Sequence, residues 1–89
     1  MNSKRNWVLR IDPVVFKNLR KIPRKDIERI LFIIKNLPSN PFTGNIQKMK
    51  GEKNVWRRRI GSYRIFYEIL PDSNIIHVFR VERRTSKTY

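Results

Sequence analysis

The stretch Val55-Trp56-Arg57-Arg58-Arg59-Ile60-Gly61-Ser62-Tyr63-Arg64-Ile65-Phe66-Tyr67-Glu68-Ile69 decides how this chain folds. Gly61-Ser62 reads as a two-residue turn of the II′ type. The flanking runs are rich in Trp, Tyr, Phe and Ile, so the stretch predicts a β-hairpin. With that turn as pivot, Ile60 pairs with Tyr63, Arg59 with Arg64, Arg58 with Ile65, Arg57 with Phe66 and Trp56 with Tyr67. Side chains alternate across a strand. One face therefore carries Trp56, Ile60, Tyr63, Ile65, Tyr67 and Ile69, the side to be buried, and Arg58 points the same way. The other face carries Arg57, Arg59 and Arg64 beside Phe66. Like charges directly opposite one another destabilise a ladder by up to about 1 kcal/mol, so Arg59 across from Arg64 breaks a local rule, and such breaches tend to mark function. A single exposed arginine is ordinary. Three on one patch, beside Lys48, Lys50 and Lys53, describe a surface for an anion.

Upstream, Asn6 to Ile11 alternates apolar and polar residues and predicts a strand. Asp12-Pro13 is a helix start, with Asp12 as N-cap and Pro13 in the first position. Val14, Val15, Leu19 and Ile22 follow at helical spacing, and Pro23 stops the run. A second helix begins at residues 24–26, with Ile27, Ile30, Leu31, Ile34 and Leu37 as its apolar stripe and Pro38 as its end. A connection of about three residues predicts an antiparallel helical hairpin. Residues 38–45, rich in Pro and Asn, read as a loop. Downstream, Pro71-Asp72-Ser73-Asn74 is a turn, Ile75 to Val81 a third strand, and Ile46 to Met49 a short extended piece. The expected fold is α+β: an N-terminal strand, the helical hairpin, then a three- to four-stranded antiparallel sheet with both helices on one face. With no repeat and no linker, residues 1–89 are expected to form a single domain.

Charge narrows the function. Lys and Arg number 21 against 7 Asp and Glu, for a net charge of +14. The excess is not a tail, since residues 1–45 and 46–89 each hold +7 (ten basic and three acidic, then eleven and four). The favoured partners of such a surface are polyanions. The absence of cysteine excludes disulfides, thiolate metal sites and thiol nucleophiles, and a lone histidine excludes zinc sites built on several imidazoles. No apolar run reaches the roughly 20 residues of a membrane span, and the start MNSKRNWVLR lacks the apolar stretch of a secretory signal. A soluble, cytoplasmic domain without membrane contact is expected.

The segment Lys48-Met49-Lys50-Gly51, followed by the hairpin from Val55 to Ile69, resembles the RelE/ParE superfamily of bacterial and archaeal toxins. The family pattern is roughly K-L-K/R-G, a spacer, then W/Y-R-x-R-x-G-x-Y-R-x-x-Y-x-I. It ends in a last strand, a basic residue and a C-terminal Tyr, matched here by Val78 to Arg84 and by Tyr89. The helical hairpin and the Asn40-Pro41-Phe42 loop fit as well. The resemblance implies a RelE-like fold and a metal-independent endoribonuclease that needs no cofactor. It also implies cleavage of mRNA in the ribosomal 30S A site and silencing by a cognate acidic antitoxin, with a toxin–antitoxin heterotetramer as the assembly. Carried over by position, Lys50 contacts the RNA backbone, with Lys48 and Lys53 beside it. Arg57 and Arg59 are the bases of the first hairpin strand, and Arg64 is the Arg of the Y-R motif. Arg84, or its neighbour Arg83, follows the last strand, and Tyr89 stacks on the base at the cut.

These residue types suit the chemistry. Attack by the ribose 2′-hydroxyl needs that hydroxyl deprotonated, a phosphorane dianion stabilised and a proton given to the leaving 5′-oxygen. Fixed guanidinium groups clamp phosphate oxygens in pairs, and a stacked ring orients a splayed base. One position departs from the pattern: where the best-studied enzyme type has a lysine able to act as general base, this chain has Arg57, which stays protonated. Lys48 and Lys53 among cations, Glu52 and Tyr89 are the candidates for that proton. His77 is expected opposite Glu68 as a structural pair. Two other functions compete: a ParE-like DNA gyrase inhibitor, whose relatives usually lack the full basic set and the terminal Tyr, and a nucleic-acid-binding module without catalysis.

Overall fold

The computed structural model of the chain describes residues 7–83. Its elements are β1 (Val8–Ile11), α1 (Pro13–Leu19), α2 (Arg24–Asn36), β2 (Ile46–Lys48), β3 (Val55–Ile60), β4 (Tyr63–Leu70) and β5 (Ile75–Arg83). The strands form one sheet in the order β1-β5-β4-β3-β2. The predicted hairpin register holds at every pair from Ile60↔Tyr63 to Trp56↔Tyr67. Gly61 supplies the positive φ of 58° that the turn requires.

The expected α+β fold is borne out: β2, β3, β4 and β5 make the four-stranded antiparallel part. The N-terminal strand adds a fifth among the described residues, and β1 pairs in parallel with β5, from Val8↔Ile75 to Ile11↔Val78. Consecutive strands joined by a tight turn must run antiparallel, but β1 reaches β5 only through everything in between, which frees it to pair in parallel. The short piece at Ile46–Lys48 is a full member of the sheet, antiparallel to β3.

Asp12 caps α1 as predicted, its Oδ1 accepting from the Val14 amide at 2.9 Å. The helix is shorter than its apolar spacing implied. It stops at Leu19, so Ile22 enters the core from a turn, closed by the Ile22 amide donating to Leu19 at 3.0 Å. Val14, counted in the apolar set, is 41% exposed, while Val15 is fully buried. On α2 the predicted stripe faces inward: Ile30, Ile34 and Leu37 are buried, with Ile27 and Leu31 packed at the margin. These residues cover Tyr63, Ile65, Tyr67 and Ile69 of β4 and Ile76, Val78 and Val81 of β5. Each fully buried Ile, Leu or Val contributes roughly 1.5–3 kcal/mol. Both helices thus serve one face of the sheet and leave the other open. Among the described residues no helix is long and apolar enough to cross a membrane.

Two polar contacts pin the covered face. The Tyr63 hydroxyl donates to Asp26 Oδ2 in the first turn of α2 at 2.8 Å, and the Tyr67 hydroxyl donates to the Pro41 carbonyl at 2.9 Å. The second bond ties the 38–45 loop to the core, where Phe42 packs edge-on against Trp56. Past Val78, β1 has ended and the edge of β5 would be bare. There Asn18 of α1 accepts from the Val81 amide at 3.1 Å.

Candidate nucleic-acid interface

The open face is assembled by strand alternation. Arg57 and Arg59 of β3 and Arg64, Phe66 and Glu68 of β4 project from it, with Arg59 directly across from Arg64. The like-charge penalty of that pair is offset from β5. Glu82, the partner of Arg64 on that strand, accepts from Arg64 Nη1 at 3.2 Å with one carboxylate oxygen and from Arg80 Nη2 at 2.6 Å with the other. On the far side Arg57 donates to the Gln47 side chain of β2. Among the described residues the Nε atoms of Arg59 and Arg64, and that of Arg58 on the covered side, are buried without a hydrogen-bond partner. Buried donors of this kind are rare enough to call for a ligand or another reason.

A bulge shapes the β5 part of this face. Phe66 pairs with Arg80 but Tyr67 pairs with Val78, so Phe79 has no partner of its own. The inserted residue resets the alternation. Val78 and Val81 can then both enter the core, while Phe79, Arg80 and Glu82 stay outside it. Phe79 lies 6.3 Å from the Phe66 ring, and the Arg80 guanidinium stacks over Phe66 at 5.0 Å. Between these rings and the chain that leads from β2 to β3 runs a groove of about 430 Å³, with Lys50 at its rim. Glu68 lines one end and its Oε1 lies 3.0 Å from His77 Nδ1, the pair expected from register. His77 Nε2 also lies 3.8 Å from Asp12, so the imidazole sits between two carboxylates.

The predicted site residues divide by place. Arg57, Arg59 and Arg64 come together as the hairpin register required, and Lys50 lines the groove that also takes in Phe66, the ladder partner of Arg57. Lys48 pairs with Trp56 and so belongs to the opposite side of the sheet. Lys53 is exposed in the connection between β2 and β3. Arg83 turns away from the arginine row and stacks on the Tyr63 ring at 5.8 Å. Arg84 and Tyr89 lie outside the described residues. Arg58 points to the covered side, as its register demanded, and packs on Gly44. A Cβ built on Gly44 would fall 2.5 Å from the Arg58 Cζ. Sequence reasoning missed Arg80, Glu82 and Phe79. The signal was present: strict alternation from Ile76 and Val78 would bury Arg80 and expose Val81, a pattern that only an inserted residue reverses. Two tyrosines under this face titrate high. The hydrogen bond to Asp26, followed by burial, raises Tyr63. Burial pushes Tyr67 up to about 12, partly countered by Arg58. Among the described residues no group of three or more His, Asp or Glu side chains is placed to hold a metal ion.

The family described as ParE toxin of type II toxin-antitoxin system, parDE, matches residues 9–87. The chain belongs to that toxin family. The family carries the module with it: this is the toxin of a toxin–antitoxin pair. A Methanocaldococcus jannaschii protein named "Putative toxin RelE1" is 33% identical over 73 residues, 79% of this toxin and 81% of that protein. The fold is that of solved RelE toxins. The archaeal RelE–RelB complex from Pyrococcus horikoshii OT3 superposes with a TM-score of 0.78 at 22% identity, covering 93% of this toxin and all (100%) of that chain. The RelB–RelE antitoxin–toxin complex from Methanococcus jannaschii gives 0.71 at 28% identity, covering 83% and 88%.

Proposed function

We propose that this toxin is a metal-independent endoribonuclease that cleaves mRNA on the ribosome in the cytoplasm, by attack of a ribose 2′-hydroxyl on the adjacent phosphate. The observation that carries the reading is the row of Arg57, Arg59 and Arg64 on the open sheet face, two of them with buried, unpartnered Nε–H groups. Such preorganised donors gain most where negative charge grows, here on the equatorial phosphate oxygens of the transition state. Arg64 is assigned to the scissile phosphate together with Arg84, and Arg57 and Arg59 to alignment of the strand. Lys50 holds the RNA backbone beside the groove, and Tyr89 stacks on the base at the cut. Lys53 and Arg83 add charge at the periphery. The lysine side of Lys48, opposite the arginine row, argues against it as the proton acceptor.

The partner proposed for silencing is a short acidic antitoxin that folds across the Arg57–Arg59–Arg64 face, forming a heterotetramer. A net charge of +14 favours such a wrapping, oppositely charged chain. The RelE chains above were solved in complex with RelB, which supports this reading.

Gyrase inhibition is the second reading, favoured by the ParE description of the matching family. Purified toxin added to translating ribosomes, with mRNA 3′ ends mapped, and run in parallel against gyrase-dependent DNA cleavage, separates the two. New 3′ ends within codons support the ribonuclease. Accumulated gyrase cleavage complexes with intact mRNA would replace it.

A further inference from the structure

We propose that the groove beside the arginine row is a nucleobase subsite that takes a base bearing an exocyclic amine: cytosine, adenine or guanine rather than uracil. The inference rests on the RNA reading of the arginine face and adds a specificity to it. Met49, Val55, Phe66 and Phe79 make the walls apolar and aromatic, a surface suited to a flat ring. Lys50 and Arg80 stand at the same groove, placing cations where the backbone of the bound strand passes.

Two carboxylates decide which base enters. Only 7 residues of the chain are acidic, yet Glu52 and Glu68 both line this one groove. A carboxylate accepts hydrogen bonds and repels phosphate, so, while Lys50 and Arg80 serve the backbone, the group that sits against Glu52 and Glu68 is a donor. A base edge with an amino group offers one, and carboxylates accept from such amines in base recognition. The Glu52 carboxylate has no hydrogen-bond or ion-pair partner among the described residues, whereas His77 holds Glu68 in place at 3.0 Å. Position separates this role from proton transfer. The Val55–Glu68 end of the groove is four residues along the ladder from Arg59 and Arg64, roughly 13 Å at strand rise. Glu68 is therefore placed to read a base near the scissile phosphate, not to deprotonate a hydroxyl at it, and Glu52 lines the same groove. The Phe79 ring reaches the groove only because the bulge turns it outward.

The test is fluorescence anisotropy with short 2′-O-methyl oligonucleotides, which their own 2′-hydroxyl cannot cleave. One is all uridine, and three carry a single central cytidine, adenosine or guanosine. The amine-bearing strands should bind roughly tenfold tighter than the uridine strand. Phe79→Ala should weaken them by about tenfold. Glu52→Ala, at an exposed position where folding is not at risk, removes the acceptor and should collapse the preference while leaving uridine binding in place. A thermal melt reports whether Phe79→Ala is folded. Equal binding of all four strands that still weakens with salt would overturn the subsite and leave the arginine face as an RNA surface. Loss of salt-dependent binding to every strand overturns both. A base preference untouched by Glu52→Ala and by folded Phe79→Ala also overturns the subsite, and returns the groove to a protein partner.

Discussion

Glu82 and Arg64 are direct partners across the β4–β5 ladder, and the Glu82 carboxylate accepts from the Arg64 guanidinium at 3.2 Å. With its other oxygen on Arg80, this carboxylate bridges two cations much as a phosphate group would. It offsets the repulsion of Arg59 and Arg64 in the free toxin, and under the proposed function it would compete with an RNA phosphate for both guanidinium groups.

Glu82→Gln should therefore tighten RNA binding. Removing one negative charge about 4 Å from a bound phosphate is worth about 1 kcal/mol in water, or roughly fivefold in affinity. The cost in stability should stay under about 1 kcal/mol, because both partners are partly solvated. Anisotropy titrations and a urea melt check the pair of outcomes. Weaker binding by Glu82→Gln would mean that the carboxylate organises the site instead of competing for it.

Salt should report the size of the contact surface. Each phosphate neutralised on a single strand contributes about −0.7 to the slope of log affinity against log salt. Four to five contacts, drawn from Lys50, Arg57, Arg59, Arg64 and Arg80, give a slope of about −3 to −3.5. Substituting Arg58, or Arg83 on its Tyr63 ring, should change that slope little. A slope near zero would assign the charge to something other than RNA.

Binding and cleavage should part at individual residues. Arg64→Ala is expected to lose about 10²–10³ in single-turnover rate on ribosomes. Lys50→Ala should weaken RNA binding more than it slows cleavage at saturation. Tyr89→Ala should slow cleavage about tenfold or more while antitoxin binding persists. Wild-type rates for both Arg64→Ala and Tyr89→Ala would refute the ribonuclease assignment.

Tyr67 makes a pH prediction. Its phenol titrates near 12 in the folded toxin because it is buried, against an ordinary value of 10.0. A raised folded-state value means that the stabilisation is complete below about pH 10 and is lost as pH climbs through about 12. The loss is at most about 3 kcal/mol. Denaturant melts across that window should show it, and Tyr67→Phe should flatten the Tyr67 share. The same variant should lose roughly 1–3 kcal/mol at neutral pH, because the buried Pro41 carbonyl is left unpaired.

The hairpin was legible in the sequence because local rules act on it alone: a Gly-Ser turn sets the register, and the register sets the faces. Arg57, Arg59 and Arg64 followed from that with no knowledge of the rest of the chain. The parallel pairing of β1 was not legible, since nothing near Val8–Ile11 names a partner at Ile75–Val78. The bulge was half-legible. Arg80 in an inward place and Val81 in an outward one announced a shift, but single-residue insertions leave only that trace. Lys48 and Lys53 were grouped with the arginines by nearness in sequence. One residue of strand parity sends Lys48 to the other side.

The place of β5 between β1 and β4 has a consequence for the cell that makes this protein. The strand at the heart of one half of the sheet is the last of the five to be synthesised. Until it arrives, β1 has no neighbour, half of the core under α1 is missing, and Glu82 is not there to balance the arginine row. Such long-range pairing also makes closure slow relative to local hairpins. A nascent chain carrying all three arginines thus still lacks the strand that joins the two parts of the sheet, an interval open to a partner that binds the incomplete fold. Protease resistance of ribosome-stalled chains should appear only once residues 75–83 are clear of the tunnel.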